Sequence, residues 1–118
     1  MTRKTETYDV VVAGAGAGGI AAAVGAARSG ARTLLVERYG FMGGAATNSL
    51  VLAYCGFYAR GQEQQQTVFG VGQALLEELA AIGADIAPIV SKSGYWVVML
   101  DPEATKLGFD RLARKNSV

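Results

Sequence analysis

Runs of apolar residues mark the first third of the chain as two strands around a helix. Residues 10–12 form an uncharged, β-branched run, and residues 34–36 form a second apolar run, both typical of strands. Between them, residues 20–24 are small or apolar residues of a kind that packs closely on a sheet. Gly30 follows this segment as a C-terminal helix stop. The pattern predicts strand, turn, helix and strand over residues 8–37.

A helical period returns in the second half of the chain. Between residues 71 and 82 the apolar side chains fall three or four positions apart, and Gly83 provides a C-terminal stop. The stripe consists of Val71, Leu75, Leu79 and Ile82. Because Glu77 and Glu78 lie off this stripe, we predict an amphipathic helix.

The last third predicts a hairpin and a further helix. Two β-rich runs, residues 84–90 and 95–100, flank the turn-forming residues 91–94. Asp101 is then a suitable N-cap and Pro102 a suitable first helical residue. Residues 45–66 have no clean period and predict no regular element, and the glutamine-rich residues 61–66 predict a solvated loop.

Composition excludes several classes of function. Eleven basic and ten acidic residues give a net charge of +1, which offers no electrostatic basis for binding nucleic acid or an anionic membrane. Cys55 is the only cysteine, so no internal disulfide forms and a reducing, cytoplasmic compartment is expected. The sequence has no histidine, which removes Ser-His-Asp catalysis and histidine-ligated metal; we predict no metal site.

The uncharged stretch from residue 10 to residue 27 has two further interpretations. Its length approaches that of a membrane span, but it is mostly glycine and alanine, and Arg28 follows at once. A cleaved signal peptide would need a basic start and an apolar core, and cleavage would destroy the glycine turn. We therefore predict neither a membrane span nor export.

The turn between the first strand and helix has the spacing G-x-G-x-x-G. Gly14 permits a tight reversal, Gly16 leaves room for a pyrophosphate, and Gly19 lets the helix lie close to the strand. Amide hydrogens at the helix start favour a bound anion. Glu37 follows at close to the roughly 20-residue spacing at which a carboxylate accepts hydrogen bonds from a ribose diol. It would repel a 2′-phosphate, so FAD or NAD is favoured over NADP.

A second glycine pair, Gly43-Gly44, lies in the loop after Glu37 and again permits close approach of backbone to a ligand. With these residues the chain resembles the two-dinucleotide-binding-domain flavoproteins, the FAD-dependent oxidoreductases related to fumarate reductase and succinate dehydrogenase flavoprotein subunits. The matching segments are residues 8–38, GFMGGAAT, FGVGQALLEELAAIG and DPEATKLGFDRLARK. The resemblance implies an α/β fold with a Rossmann-like βαβ unit that binds FAD, additional helices and a β-hairpin, all part of a larger flavoprotein fold.

The resemblance also implies roles for individual residues. Glu37 would hold the adenosine ribose, and Arg38 would lie beside the adenine. The residues expected around the pyrophosphate are Gly14, Ala15, Gly16, Ala17 and Gly18. Those expected near the pyrophosphate, ribityl chain or flavin ring are Gly43, Gly44, Ala45 and Thr47. For Thr47 an ordinary capping role in the loop is the alternative. Without a histidine after the glycine pair, covalent flavin attachment through histidine is excluded.

The expected function is hydride or electron transfer between FAD and a small organic substrate. An NAD-dependent oxidoreductase subunit and a noncatalytic structural fragment of a flavoprotein complex are the alternatives. No catalytic acid or base is identified. Tyr54, Cys55, Tyr58 and Arg60 are candidates for the substrate side, although such residues more often serve simple packing or, for Arg60, carry a solvated charge.

Two parallel strands and an isolated hairpin would leave a parallel sheet poorly covered, so we expect the polypeptide to be the N-terminal part of a larger FAD-binding domain. Residues 1–118 would then comprise the βαβ unit (8–37), a flavin-proximal loop region (38–66) and a helix, hairpin and helix (67–115). The expected partner is the remaining flavoprotein polypeptide, as a second subunit or a cleaved C-terminal part.

Overall fold

The structure is a computed structural model that describes residues 5–118, and it begins with the predicted βαβ unit. Strand β1 (Val10–Ala13) and strand β2 (Thr33–Val36) pair in parallel, with Val10 opposite Thr33 and Ala13 opposite Val36. Helix α1 (Ala17–Arg28) connects them and packs on both strands. The prediction of strand, turn, helix and strand is therefore confirmed.

Helix α1 ends as its sequence predicts. Gly30 has a φ of 91° and donates its N–H to the carbonyl of Ala27, while Ala31 donates to Ala26. These two bonds form a Schellman motif, in which glycine at C′ adopts a left-handed conformation without steric cost. The helix buries Ile20, Ala23 and Val24, so its apolar face becomes part of the core.

Three later strands form an antiparallel sheet in the order β3-β5-β4. Strands β4 (Pro88–Val90) and β5 (Trp96–Met99) form the predicted hairpin, shorter than the two β-rich runs. Strand β3 (Ala53–Cys55) pairs along the other edge of β5. The predictions of an isolated hairpin and of no regular element in residues 45–66 are therefore wrong. Strand β3 is too short to produce a visible alternation, and its pairing partner lies more than forty residues away.

Two helices pack against each other and close the core. Helix α2 (Val71–Ala81) ends in a second Schellman motif at Gly83, and helix α3 (Pro102–Lys115) begins at the predicted cap, where the N–H of Ala104 donates to Asp101 Oδ1 over 2.7 Å. The core joins residues of both helices with Ile20, Val24 and the buried Val98.

Glu78 of α2 departs from the prediction. It was expected off the apolar stripe, but it is only 5% exposed. Lys115 Nζ lies 2.7 Å from one of its carboxylate oxygens, and Arg111 Nε lies 3.0 Å from the other. These contacts hold the pKa of Glu78 below its usual range, with the hydrogen bond from Lys115 as the main cause and burial opposing it. The spacing of apolar residues along α2 does not reveal that cations on α3 make burial of this carboxylate favourable.

Candidate dinucleotide-binding site

The first glycine turn is built as its spacing predicts. Gly14 has a φ of 97°, and its N–H donates to the carbonyl of Val36 over 2.7 Å, which closes the end of the parallel strand pair. A Cβ atom on Gly19 would overlap the carbonyl oxygen of Gly14, so only glycine allows the helix to begin this close to the turn. Gly14 and Gly19 therefore fix the position at which α1 starts.

The start of α1 faces open space. Gly16 is the N-cap, and no side chain caps this helix end. Within residues 5–118, the N–H groups of Gly16, Ala17 and Gly18 have no hydrogen-bond acceptor. A Cβ atom placed on Gly16 or Gly18 would meet no protein atom within 4 Å. Free amide hydrogens at the positive end of a helix, with room in front of them, suit a phosphate group.

The second glycine pair lies directly against the first turn. The N–H of Gly43 donates to the carbonyl of Ala15 over 2.8 Å. A Cβ atom on Gly44 would lie 2.8 Å from the Cα atom of Gly16. Both glycines of the pair have positive φ, 121° and 53°. Two glycine-rich segments that are well separated in the sequence thus form one continuous backbone surface.

Thr47 and Ala45 occupy different positions beside this surface. Thr47 is 4% exposed, its hydroxyl donates to the carbonyl of Met42 over 2.7 Å, and its side chain fills the space next to Gly43 where a Cβ atom would lie. Ala45 is exposed. The described contacts of Thr47 are therefore made within the loop that carries the glycine pair.

The carboxylate of Glu37 connects the end of β2 to the first glycine turn. One oxygen, Oε2, accepts the N–H of Ala15 over 2.7 Å. The other, Oε1, accepts the N–H groups of Arg38 at 2.7 Å and Tyr39 at 3.0 Å. These bonds, led by that of Tyr39 and followed by that of Ala15, lower the pKa of Glu37 from its ordinary value, and the Arg38 charge adds to the effect. The group is therefore an anion at neutral pH.

An aromatic stack after Glu37 was not anticipated from the sequence. The Arg38 guanidinium lies 4.7 Å from the centre of the Tyr39 ring and donates to its hydroxyl over 2.6 Å. Tyr39 stacks on Phe41 with ring centres 6.1 Å apart, and Lys106 Nζ of α3 lies 4.3 Å from the Phe41 ring. Cation–π contacts of this kind anchor the loop to α3. Aromatic residues at alternate positions of the loop are the only sequence signal for it.

The four candidates for a substrate side do not form one cluster. Tyr54 lines a cavity of about 140 Å³ together with Ala17 and Ile20 of α1, and burial raises the pKa of its hydroxyl. Cys55, the next residue of β3, is an exposed free thiol. Arg60 instead lies over the Tyr95 ring at 4.7 Å and donates to the carbonyl of Ser93. Tyr58 packs against Trp96 with ring centres 5.9 Å apart. Of the four, only Tyr54 lines the cavity beside the start of α1.

Residues 5–118 contain neither a metal-binding cluster nor a helix suited to span a membrane. No group of three or more Cys, Asp or Glu side chains there is arranged to hold a metal ion. None of the helices in that range combines the length and the apolar character that crossing a bilayer requires.

Comparison with known proteins supports the same assignment. A thioredoxin reductase of Treponema pallidum (strain Nichols) is 36% identical over 84 residues, which cover 64% of this chain but 27% of the reductase. The crystal structure of Thermovibrio ammonificans THI4 superimposes with a TM-score of 0.54 at 21% identity, covering 93% of this chain and 36% of THI4. The chain thus spans about a third or less of either protein. Residues 9–118 match the family described as FAD dependent oxidoreductase. The chain belongs to the FAD dependent oxidoreductase family, and its cofactor is FAD.

Proposed function

We propose that the chain supplies the pyrophosphate and adenosine part of the FAD site in an oxidoreductase that exchanges hydride or electrons with a small organic substrate. The observation that carries this proposal is the open N-terminus of α1, where the amides of Gly16, Ala17 and Gly18 have no acceptor within residues 5–118 and a Cβ atom on Gly16 or Gly18 would meet no protein atom within 4 Å. The neighbouring glycine pair extends the same surface. The residues present therefore fit the phosphates of a dinucleotide.

Each predicted site residue has a role in this proposal. The turn from Gly14 to Gly18 binds the pyrophosphate, Glu37 accepts hydrogen bonds from the adenosine ribose, and Arg38 lies beside the adenine. Gly43, Gly44 and Ala45 bound the path toward the ribityl chain and the flavin. Thr47 contributes through the shape of this loop, because its hydroxyl is already bonded to Met42.

Bound FAD would supply the redox chemistry, and the protein groups described here would bind and orient it. The backbone amides balance the phosphate charge without a cationic side chain. Tyr54 lies beside the same helix start, so it is the candidate in this chain for a contact close to the cofactor.

The proposal includes further polypeptide. Val11 is 60% exposed and Val36 is 47% exposed, so one face of the parallel strand pair is apolar and uncovered within the described residues. A parallel sheet is normally buried on both faces. The chain also matches only part of THI4 and of the reductase, which supports the remaining flavoprotein polypeptide as its partner. We propose that this assembly lies in the cytoplasm.

Binding of FAD, ADP, FMN and NADP to the purified chain tests the proposal. FAD and ADP are expected to bind, FMN lacks the adenosine half and is expected not to bind, and NADP is expected to bind poorly because its 2′-phosphate meets the Glu37 anion. Fluorescence quenching measures FAD and FMN binding, and calorimetry measures the other two.

Gly16→Ala is the matching variant. The new methyl group meets no protein atom, so the fold is retained while the methyl group occupies space needed by the phosphate. Gly25→Ala, also in open space but within α1, is the control. Absence of FAD and ADP binding by the unmodified chain, or full affinity in Gly16→Ala, would contradict the proposal.

A further inference from the structure

The peptide groups on both sides of Ala15 are hydrogen-bonded to the loop that follows β2. Its N–H donates to Glu37 Oε2 over 2.7 Å, and its carbonyl accepts the N–H of Gly43 over 2.8 Å. Ala15 is completely buried between them. The position of the peptide group before Gly16 is thus determined by the loop after β2 as well as by β1.

Glu37 makes one of these two contacts, and its two carboxylate oxygens bond to different segments of the chain. Oε2 accepts the N–H of Ala15 in the glycine turn, and Oε1 accepts the N–H groups of Arg38 and Tyr39. The two oxygens of a carboxylate can accept N–H donors from both sides at once. These bonds are made entirely within the chain, so the carboxylate has structural contacts in addition to its predicted contact with a ribose. An oxygen that accepts one N–H retains capacity for a ribose hydroxyl.

We propose that Glu37 is a positioning residue for the phosphate site as well as a ribose ligand: it holds the glycine turn in the geometry that presents the amides of Gly16, Ala17 and Gly18. The inference rests on the proposed nucleotide-binding function and deepens it. Preorganised donors bind an anion more tightly because ordering the turn is not required at the moment of binding. The cationic group next to the carboxylate is Arg38, whose charge favours the same anionic state.

A nucleotide without ribose hydroxyls separates the two roles. 2′,3′-Dideoxy-ADP retains the diphosphate but offers no diol to the carboxylate. If Glu37 acted only on the ribose, Glu37→Gln would leave the affinity for this ligand unchanged, or increase it because a negative charge near the phosphates is removed. If Glu37 positions the turn, the same change weakens binding, since the single carbonyl of glutamine satisfies one side and presents an NH₂ group to donors on the other. Only the positioning role therefore predicts weaker binding of dideoxy-ADP by Glu37→Gln.

We expect dideoxy-ADP to bind about fivefold to tenfold more weakly to Glu37→Gln than to the unmodified chain, the net effect of losing one intramolecular hydrogen bond. Glu37→Asp keeps the charge but is too short to span both sides, and it is expected to weaken dideoxy-ADP similarly. Glu63→Gln removes an exposed carboxylate elsewhere and serves as the control for the loss of charge. Equal or tighter binding of dideoxy-ADP by Glu37→Gln would overturn the inference.

A measurement on the unmodified chain tests the inference even if the Glu37 variants do not fold. In ¹⁵N-labelled protein without nucleotide, the amide proton shifts of Ala15, Arg38 and Tyr39 are expected to follow one titration, with a midpoint below the ordinary pKa of glutamate. An Ala15 amide that does not titrate with the other two would refute the contact between Glu37 and the glycine turn. If the unmodified chain binds neither ADP nor FAD, the proposed function fails, and that result is distinct from a failure of this inference.

Discussion

Replacing Gly44 by alanine tests whether the contact between the two glycine segments matters for stability. The new Cβ atom would lie 2.8 Å from the Cα atom of Gly16, which is backbone and cannot move aside by changing rotamer. Carbon atoms pack at about 3.5–4.0 Å, so the two segments must separate by roughly 1 Å. Gly44 also has a φ of 53°, where an alanine side chain is strained.

The cost follows from these two effects. The left-handed conformation costs a residue with a Cβ atom about 1–2 kcal/mol. A separation of that size would stretch the 2.8 Å hydrogen bond from Gly43 to Ala15 beyond the usual limit, at about 1 kcal/mol. We therefore expect Gly44→Ala to lower the free energy of unfolding by about 2–3 kcal/mol, a large part of the 5–15 kcal/mol typical of a domain.

Urea denaturation followed by circular dichroism measures the effect. Gly40→Ala is the matched control, since this glycine lies in the same loop and a Cβ atom there meets nothing within 4 Å. The control is expected to be unchanged or stabilised by up to about 1 kcal/mol. Equal urea midpoints for the two variants, at equal m-values, would show that the glycine segments do not touch as described.

Three further substitutions test the remaining structure. Glu78→Gln should reduce stability at neutral pH and flatten its acid dependence: the pKa of this carboxyl is lowered by folding, so its contribution is present above the unfolded pKa and is lost as pH falls through the folded value. Urea midpoints across pH measure this, and an unchanged pH profile relative to the exposed control Glu77→Gln would contradict it. Asp101→Ala removes the N-cap of α3 and should cost about 0.5–2 kcal/mol in thermal or urea unfolding, whereas Asp110→Ala within the helix should cost less. Leu50→Asn should stabilise the protein by roughly 0.5–1 kcal/mol in the same assay, because leucine has a φ of 55° there and is 61% exposed; a loss of stability would contradict this expectation.

Local patterns were sufficient for much of the fold. The apolar run before Gly14, the small residues after it and the stop at Gly30 each express a preference that acts within a few residues, and they predicted the βαβ unit. The caps at Gly83 and Asp101 were predictable for the same reason. Strand β3 was missed because three residues carry no period, and its pairing with β5 is a long-range contact.

The sequence by itself determined that a glycine turn joins a strand to a helix, and that a carboxylate follows at the spacing of a ribose ligand. These features depend on residue type and separation, which are local. Only the tertiary structure decided that Gly44 lies against Gly16, that Glu37 bonds to Ala15 and that Glu78 is buried between cations of α3. Each of these contacts depends on how separate elements pack in three dimensions, and residue spacing along the chain does not encode that packing directly.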